Sequence, residues 1–559
     1  MAPRATGVAS SSDPAQAGRA ATPDVASART VTGLIDAQAS KQPDAIYALS
    51  TERDAAITHQ ALATDARAIA AWLRAQGVGP GDTVAFVMPN GLQTLRLLLG
   101  AMHGGWCVCP VNLLCTTVQM HYVIEHSDCT VLFVSPDREA SVRAALVGVA
   151  REIAVVVCDP DGESFSPHEM ADSESDSDSA IACTSVIAPS PDSPALLMYT
   201  SGTTGNPKGV VLTHANLVAN ARAISAEHGL THTDRVLGVL PLYHINAFTV
   251  TMLAPLAHGG SIAIAPNFSA ARFWTQALEA RCTWINVVPT IISYLLEGED
   301  PPAAAREAIR FCRSASAALP PEHLRAFETR FGIDVVETMG LTETAAPAFS
   351  NPMQAGARKL GAVGRASGCE ACVIDPLATM ASEAELRTLP DGTVGEILIR
   401  GPQVMRGYYK NDEATRASFA PGGWLRTGDL GYRDADGFFF VTGRIKELII
   451  KGGENIAPRE IDEVLLQHPA VLEAAAVGVP DRHYGQEIVA CIVLRAGALP
   501  SPRPPGAESQ AAIVEDLRAF CHQRLGRFKT PREFHFVGEL PRGPSGKVQR
   551  LKMLALLAS

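Results

Sequence analysis

The 559-residue sequence has no apolar run long enough to cross a bilayer, and its N-terminus lacks the apolar core of a secretory signal. Basic residues are not in excess either: 47 lysines and arginines stand against 58 aspartates and glutamates, for a net charge of −11. This balance argues against non-specific binding to nucleic acid or to an anionic membrane. The sequence therefore predicts a cytoplasmic protein with no membrane span and no nucleic-acid partner.

Closely spaced cysteine pairs are also scarce. The twelve cysteines are scattered along the chain, which favours free thiols over a disulfide framework. Cys369 and Cys372 have the spacing of half a metal site or of a redox pair, but no second pair of suitable spacing lies near them. We therefore expect them to be buried strand cysteines.

The chain is longer than the chains that fold around a single hydrophobic core, so at least two structural units are expected. Helical and strand patterns alternate from residue 31 onward, which predicts an α/β fold whose mostly parallel sheets are covered by helices, over residues 31–445. Short strands and two helices beyond Lys446 predict a small, mobile α+β domain over residues 446–559. Residues 1–30 are expected to be a disordered leader and 171–180 a solvated acidic loop.

A loop of small residues ending in a lysine, over 200–209, has the composition of a phosphate site. Its glycines let backbone N–H groups point into one concavity, its hydroxyls add neutral donors, and its lysine adds a mobile positive charge. A Walker A loop opens a helix, whereas the apolar, β-branched residues that follow here predict a strand. An ordinary hairpin loop is the alternative. We predict a strand-loop-strand phosphate clamp, formed by Thr200, Ser201, Gly202, Thr203, Thr204, Gly205 and Lys208.

Three further segments carry side chains suited to the other parts of a nucleotide. Glu343 is a hard oxygen donor beside hydroxyls, as Mg²⁺ prefers when water and phosphate fill most of its shell. Asp429 and Arg444, expected on neighbouring strands, could hold the two hydroxyls of a ribose. Each feature has a plain alternative: a helix N-terminus for the glutamate and a surface ion pair for the other two.

Candidate substrate residues follow predicted strands. His244 comes just after a strand over 236–242, at the end where ligands usually sit in α/β sheets, although a structural histidine is equally compatible with the sequence. The strand predicted over 309–319 ends in small residues that would let a flat ligand approach the backbone. Near the C-terminus, Lys547 lies in a Pro/Gly-rich turn before a short helix, a position that also suits an exposed surface lysine.

Together these ordered motifs resemble the AMP-forming acyl-adenylate superfamily, which contains acid-CoA ligases, adenylation domains of peptide synthetases and luciferases. The resemblance extends from about residue 31 to the end of the chain. At Met339 the family usually has an aromatic residue that stacks on adenine, so this chain departs from the pattern there. The segments that resemble the phosphate loop, the Tyr-Gly-x-Thr-Glu segment, the Thr-Gly-Asp segment, the hinge and the catalytic-lysine loop are 199–209, 339–343, 427–429, 443–446 and 541–547.

The resemblance implies that a carboxylic acid reacts with ATP to give an acyl-adenylate, which then acylates CoA, with Mg²⁺ as cofactor. It implies catalytic roles for Lys547, Glu343 and Thr200, of which the last two would bind the metal, and a hinge at Lys446. It also implies nucleotide binding by Thr200, Ser201, Gly202, Thr203, Thr204, Gly205, Lys208, Ser316, Ala317, Glu337, Thr338, Met339, Thr342, Asp429 and Arg444. The substrate or CoA would contact His244, Arg313, Gly340, Lys451, Gly452 and Gly453.

Residues 313–318 and 337–352 look most similar to the branch that contains oxalate-CoA ligases. His244 and Arg313 could neutralise a second anionic group, which favours a small polar acid similar to oxalate or sulfoacetate. An apolar pocket for a fatty or aromatic acid, transfer of the acyl group to a separate carrier protein, and a non-catalytic binding homologue remain alternatives. The sequence leaves the oligomeric state open, with a homodimer as one option.

Overall fold

A computed structural model of the chain describes residues 24–165, 188–200, 206–378, 382–495, 507–542 and 548–557. Most of the predicted leader and the whole acidic loop over 171–180 lie outside the described residues.

The largest sheet has nine strands, six of which run parallel to one another in its middle. The strands at both edges pair antiparallel with their neighbours. In spatial order the strands are Arg365–Ala366, Ala346–Ser350, Val335–Leu341, Phe311–Ser314, Trp284–Val287, Arg235–Gly238, Ser261–Ile264, Ile46–Ser50 and Ala56–Thr58.

The second sheet has seven strands, and those over 83–87, 107–110 and 129–134 are almost wholly buried. Continuous apolar runs of this kind suit parallel strands that are covered on both faces. Five strands run parallel and the last two turn antiparallel. In spatial order the strands are Gly407–Tyr408, Lys208–Thr213, Pro194–Thr200, Cys107–Pro110, Thr83–Val87, Cys129–Val134 and Ala154–Val157.

Two five-stranded sheets complete the part of the chain that the structure describes. The first is antiparallel and contains Glu370–Ile374, Gly395–Arg400, Trp424–Arg433, Phe419–Ala420 and Phe439–Arg444. The second is the C-terminal sheet, which has its own buried apolar cluster. Its strands are Glu454–Ile456, Ile449–Lys451, Gly485–Leu494, Val471–Asp481 and Glu533–Phe536.

Helices pack on the sheets, and their starts follow the expected capping chemistry. The helix His59–Ala75, for example, begins after Thr58, whose hydroxyl accepts a hydrogen bond from the Ala61 N–H. Residues Phe248–Leu253 form a π-helix. The α-helices are Val31–Lys41, His59–Ala75, Leu92–His103, Thr117–His126, Glu139–Leu146, His214–Glu227, Ile245–Ala247, Ala254–His258, Phe273–Glu279, Pro289–Glu297, Ala303–Ala308, Pro321–Phe331, Asp412–Ala417, Pro458–Leu466, Ala507–Lys529 and Arg550–Leu557.

The predicted fold class is confirmed: the large N-terminal part is α/β with mostly parallel sheets, and a smaller α+β part follows it. Strand lengths were less well predicted. The strand expected over 236–242 ends at Gly238, and the one expected over 309–319 ends at Ser314. The strand Val335–Leu341 is longer than its neighbours because its second half pairs with Ala346–Ser350. The domain boundary at 445/446 stays a prediction.

Among the described residues, no helix is long and apolar enough to span a membrane. Cys372 is buried within a strand and Cys369 is partly buried just before it. Burial raises the thiol pKa of Cys372 to about 11 and that of Cys369 to about 12. Both cysteines are free thiols, as the sequence predicted.

Candidate active site

The predicted phosphate clamp is flanked by two paired strands. Thr200 ends one strand and Lys208 begins the next, and the two residues lie opposite each other in an antiparallel ladder. The Thr200 hydroxyl donates to the Lys208 carbonyl oxygen at 3.4 Å. A strand and not a helix follows the lysine directly, as the sequence predicted. The residues between the strands, Ser201, Gly202, Thr203, Thr204 and Gly205, lie outside the described residues.

Glu343 lies in a short 3₁₀ turn, over 342–344, that directly follows the strand Val335–Leu341. Its carboxylate accepts a hydrogen bond from the hydroxyl of Tyr408, with 2.8 Å between the two oxygens. The ammonium group of Lys208 lies 4.7 Å from the centroid of the same tyrosine ring. Tyr408 therefore links two predicted ATP residues, although the sequence did not single it out.

Asp429 and Arg444 lie directly opposite each other on the antiparallel strands Trp424–Arg433 and Phe439–Arg444. The Arg444 Nε donates to Asp429 Oδ1 at 2.8 Å, and the side chains are 45% and 3% exposed respectively. Within the strand, the Thr427 hydroxyl accepts a hydrogen bond from the Asp429 N–H. The predicted placement on neighbouring strands is thus confirmed. The charge of Asp429, and to a smaller extent those of Glu447 and Glu343, raises the pKa of Arg444.

The strand Val335–Leu341 contains Met339, at the position where the family usually has a residue that stacks on adenine. Met339 is partly buried and lies opposite Phe349 on the neighbouring strand. Burial raises the pKa of Glu337 to about 7. Thr338 is buried, Thr342 is partly buried, and the predicted residues Ser316 and Ala317 follow the neighbouring strand. Ser316 has a φ of 75°, in the left-handed region.

Gly340 has a structural reason to be glycine. A Cβ at this position would lie 1.7 Å from the carbonyl oxygen of Ala346, on the paired strand. The missing side chain thus permits the close pairing of the two strands, and a contact of Gly340 with substrate or CoA stays a prediction.

Arg313 is buried, with 1% of its surface exposed, at the end of the strand Phe311–Ser314. Its NH1 group donates to the amide oxygens of Asn246 and Asn286, each at 2.7 Å. Burial lowers the pKa of Arg313 to about 9, so the guanidinium remains charged at neutral pH. The structure therefore places a buried cation against two amides, neither of which the sequence had singled out.

His244 lies two residues before Asn246, in the turn that leads into the helix Ile245–Ala247. Its backbone N–H donates to the Pro241 carbonyl at 3.0 Å, and its ring meets the Tyr243 ring edge-on at 4.7 Å. Asn246 also donates to the Ser316 hydroxyl at 3.3 Å. The structure thus joins two predicted residues, Arg313 and Ser316, through one asparagine that the sequence gave no reason to choose and that follows His244 by two positions.

The segment Lys451-Gly452-Gly453 forms a hairpin in the C-terminal sheet. Both glycines have positive φ, 59° and 86°, as a tight hairpin turn between paired strands requires. The Lys451 ammonium is buried, pairs with Glu487 and donates to the Phe528 carbonyl at 2.9 Å. The lysine is therefore held by its own sheet, while the two glycines are exposed.

Lys446 is exposed in the short turn Ile445–Glu447, which connects the antiparallel sheet to the C-terminal sheet. Lys547, the predicted catalytic lysine, lies outside the described residues. The described part of the chain contains no group of three or more histidine, cysteine, aspartate or glutamate side chains placed to hold a metal ion.

Comparison with known proteins gives a consistent result. The family model of the AMP-binding enzymes matches residues 35–409, and that of the AMP-binding enzyme C-terminal domain matches residues 460–547. A sulfoacetate-CoA ligase from Cupriavidus necator is 55% identical over 94% of this chain and 97% of the relative. An oxalate-CoA ligase from Arabidopsis thaliana is 34% identical over 93% of this chain and 97% of the relative.

Two solved structures are also similar. The ATP-bound structure of MatB from Rhodopseudomonas palustris has a TM-score of 0.82 at 29% identity and covers 94% of this chain and 99% of that chain. An o-succinylbenzoate-CoA synthetase from Bacillus subtilis, in complex with ATP and a magnesium ion, has a TM-score of 0.75 at 27% identity. That likeness covers 93% of this chain and 98% of the other.

Proposed function

Since the chain belongs to the AMP-binding enzyme family, we propose that it is an AMP-forming acid-CoA ligase for a small polar carboxylic acid. The observation that carries the proposal is the position of Glu343, which contacts Tyr408 beside Lys208 and lies within electrostatic range of Arg444. These residues suit the metal, phosphate and ribose parts of ATP in turn. The 55% identity to a relative named sulfoacetate-CoA ligase supports both the activity and the class of acid.

In the first step, an oxygen of the substrate carboxylate attacks the α-phosphorus of ATP, and the bond to pyrophosphate breaks. The task of the protein is to hold the reactants in line and to neutralise charge. Lys208 and the loop before it hold the β- and γ-phosphates, while Asp429 and Arg444 hold the ribose hydroxyls. Lys547 stabilises the negative charge that builds between the carboxylate and the α-phosphate.

The residues present fit Mg²⁺. Glu343 and Thr200 offer carboxylate and hydroxyl oxygens, the donor type that this hard cation prefers. Within the described residues only one oxygen of Glu343 accepts a hydrogen bond, which leaves the other for a metal. When bound, Mg²⁺ would supply neutralisation of the phosphate charge.

In the second step, the CoA thiol attacks the carbonyl carbon of the acyl-adenylate, and AMP leaves. We propose that residues 446–559 turn about Lys446 between the two steps, because one cleft cannot suit both the departure of pyrophosphate and the entry of a thiol. The exposed turn at Gly452 and Gly453 is then the part of the C-terminal sheet that reaches the adenylate. A cytoplasmic location and a homodimer remain predictions that accompany this proposal.

The acid would lie near His244 and Asn246. The relatives named after sulfoacetate and oxalate act on acids that carry a second anionic group beside the reacting carboxylate. Here the buried Arg313 would provide a fixed positive charge behind Asn246, whose amide and the His244 ring would face the second anion. Direct contact between the acid and Arg313, expected from the sequence, is replaced in this proposal by an indirect one, because the guanidinium is covered.

The proposal is tested by measuring AMP formation with ATP, Mg²⁺ and CoA over a panel of acids: oxalate, malonate, sulfoacetate, acetate, octanoate, benzoate and 4-coumarate. We expect turnover of a dianion, loss of turnover in Lys547→Ala, and a KM for the dianion raised about tenfold or more in His244→Ala, because one hydrogen bond to a charged group is lost.

Turnover of octanoate or an aromatic acid alone would contradict the small polar substrate but leave the ligase activity in place. AMP release that does not depend on CoA would instead favour transfer to a carrier protein. An absence of AMP with every acid would overturn the proposed function as a whole.

A further inference from the structure

Tyr408 connects the two oppositely charged groups that the proposed reaction needs on the phosphates of ATP. Its hydroxyl donates to Glu343 Oε1 at 2.8 Å, and its ring centroid lies 4.7 Å from the ammonium of Lys208. The glutamate is 65 residues away from the tyrosine in sequence. One side chain thus contacts both a predicted metal ligand and a predicted phosphate ligand.

The register of the seven-stranded sheet explains the contact with Lys208. The short strand Gly407–Tyr408 pairs antiparallel with Lys208–Thr213, and Tyr408 lies opposite Val210. Lys208 is two residues before Val210 and so projects from the same face, where a diagonal neighbour is within reach of an aromatic ring.

Backbone hydrogen bonds hold the segment that carries Tyr408 on both sides. The Met405 N–H donates to the Glu343 carbonyl at 2.8 Å, and the Tyr409 N–H donates to the Gly209 carbonyl at 2.7 Å. The Tyr408 N–H itself donates to the Thr415 hydroxyl at 2.9 Å. The tyrosine is therefore fixed relative to the turn of Glu343 and to the strand that begins at Lys208.

Within the described residues, Lys208 and Glu343 form no ion pair with each other or with any third residue. A direct pair would occupy the lysine and the carboxylate with one another. The tyrosine instead gives the carboxylate a neutral donor and gives the ammonium an aromatic face, so neither charge is cancelled.

We propose that Tyr408 is a positioning residue of the adenylation site, which orients Glu343 toward the metal of MgATP and Lys208 toward its terminal phosphates. Its hydroxyl fixes one carboxylate oxygen and leaves the second for the cation, while its ring sets the direction of the lysine. This inference rests on the proposed function, because the ligand it serves is ATP with its metal.

The neighbouring Tyr409 provides a matched control. Its hydroxyl also donates to a carboxylate, Asp128, at 2.9 Å, and it is partly buried like Tyr408. Asp128 pairs with Lys410 rather than with any residue assigned here to ATP. Tyr408→Phe and Tyr409→Phe therefore make the same chemical change at adjacent positions, one inside the proposed site and one outside it.

The experiment measures binding of Mn²⁺ as a probe for Mg²⁺, by electron paramagnetic resonance, to the full-length protein with a non-hydrolysable ATP analogue. We expect Tyr408→Phe to weaken Mn²⁺ binding about tenfold, because a hydrogen bond to a charged ligand is lost. Affinity for the metal-free analogue should stay unchanged in this variant and fall about threefold in Tyr408→Leu, which also removes the ring beneath Lys208. Tyr409→Phe should leave both affinities within about twofold of wild type.

Activity gives the second readout: Tyr408→Phe should raise the Mg²⁺ concentration for half-maximal AMP formation about tenfold, without a change in the KM for the acid. Equal Mn²⁺ affinities in Tyr408→Phe and Tyr409→Phe would overturn the inference even if the wild type is an active ligase. A wild type that forms no AMP with any acid would refute the proposed function, while the Mn²⁺ comparison would still decide the role of Tyr408. Matching thermal unfolding midpoints would show that the variants are folded.

Discussion

At the scale of single residues, two of the predicted site charges, those of Arg313 and Glu343, are hydrogen-bonded to neutral side chains instead of forming ion pairs among the residues that the structure describes. Arg313 donates hydrogen bonds to two amide oxygens, and Glu343 accepts one from the phenol hydroxyl of Tyr408. Only Asp429 and Arg444 form a direct ion pair of predicted site residues within the described part of the chain, at 2.8 Å. A pair that is buried on one side and exposed on the other can open to a polar ligand, and it is the best place to test the ribose assignment.

Replacing Asp429 with asparagine keeps its size but removes the charged acceptor for a ribose hydroxyl. We expect the KM for ATP to rise between about tenfold and a hundredfold, the range for a lost hydrogen bond to a charged group, with little change in the KM for the acid. Steady-state kinetics with each substrate varied in turn checks this. Asp391→Asn, which breaks an exposed ion pair to Arg433 in the same antiparallel sheet, is the control. Equal effects of the two variants would contradict the ribose role.

At the scale of elements, the chain brings its motifs together by pairing strands across long sequence separations. The strand Val335–Leu341 changes partners along its length, parallel to Phe311–Ser314 at first and antiparallel to Ala346–Ser350 afterwards. Gly340 lies where the antiparallel pairing has a register shift. The turn of Glu343 begins two residues after this close approach.

Gly340→Ala should therefore destabilise the protein, because the new Cβ would overlap the Ala346 carbonyl. We expect a loss of about 3 kcal/mol, at the upper end of the cost of overpacking, since the atom it meets is backbone. The thermal unfolding midpoint of the N-terminal part measures this. Gly356→Ala, where a Cβ meets nothing within 4 Å, should leave the midpoint unchanged. A midpoint for Gly340→Ala equal to that of the control would contradict the steric explanation.

At the scale of the whole molecule, buried histidines make folding sensitive to acid. Burial lowers the pKa of His59, His214 and His258 to about 4 and that of His228 to about 3. These side chains are neutral in the folded protein but titrate near 6.5 when unfolded, so the unfolded state binds protons first as pH falls. Their contribution to stability is complete above pH 6.5 and is lost between pH 6.5 and about 4.

Each such histidine should cost about 2 kcal/mol of stability at pH 5. Glu337 acts in the opposite direction: its pKa is raised to about 7, so the folded protein gains a proton that the unfolded chain takes up only near 4.5. Burial also raises the pKa of the Asp65, Glu227 and Asp462 carboxyls, which act in the same direction as Glu337. We expect the four histidines to outweigh these carboxyls, and the unfolding temperature to be lower at pH 5 than at pH 7.5. His228→Gln should reduce this difference, whereas His232→Gln, at an exposed position, should not. An unchanged difference in His228→Gln would show that burial of that histidine is not the cause.

Much of the architecture and the site could be predicted from the sequence. Alternating helical and strand patterns predicted the α/β class, because burial of one face or both faces of an element leaves a local signature in its residues. His59–Ala75 and Leu92–His103 are two of the helices found in that region. The two paired strands that flank the predicted phosphate clamp, and the placement of Asp429 and Arg444 on neighbouring strands, also followed from local residue types.

Other features were determined only by the tertiary structure, since they depend on residues far apart in sequence. Tyr408 meets Lys208 because two strands pair across the seven-stranded sheet, and it meets Glu343 because the Met405 N–H holds the turn of Glu343 against the same segment. No local pattern marks either contact. Asn246 and Asn286 surround Arg313 because separate elements converge on one strand end. The sequence by itself thus determined which chemistry the chain carries, through motifs read over a few residues. The tertiary structure decided which neutral side chains contact the charged ones, because these contacts depend on strand register and on which distant segments pack together.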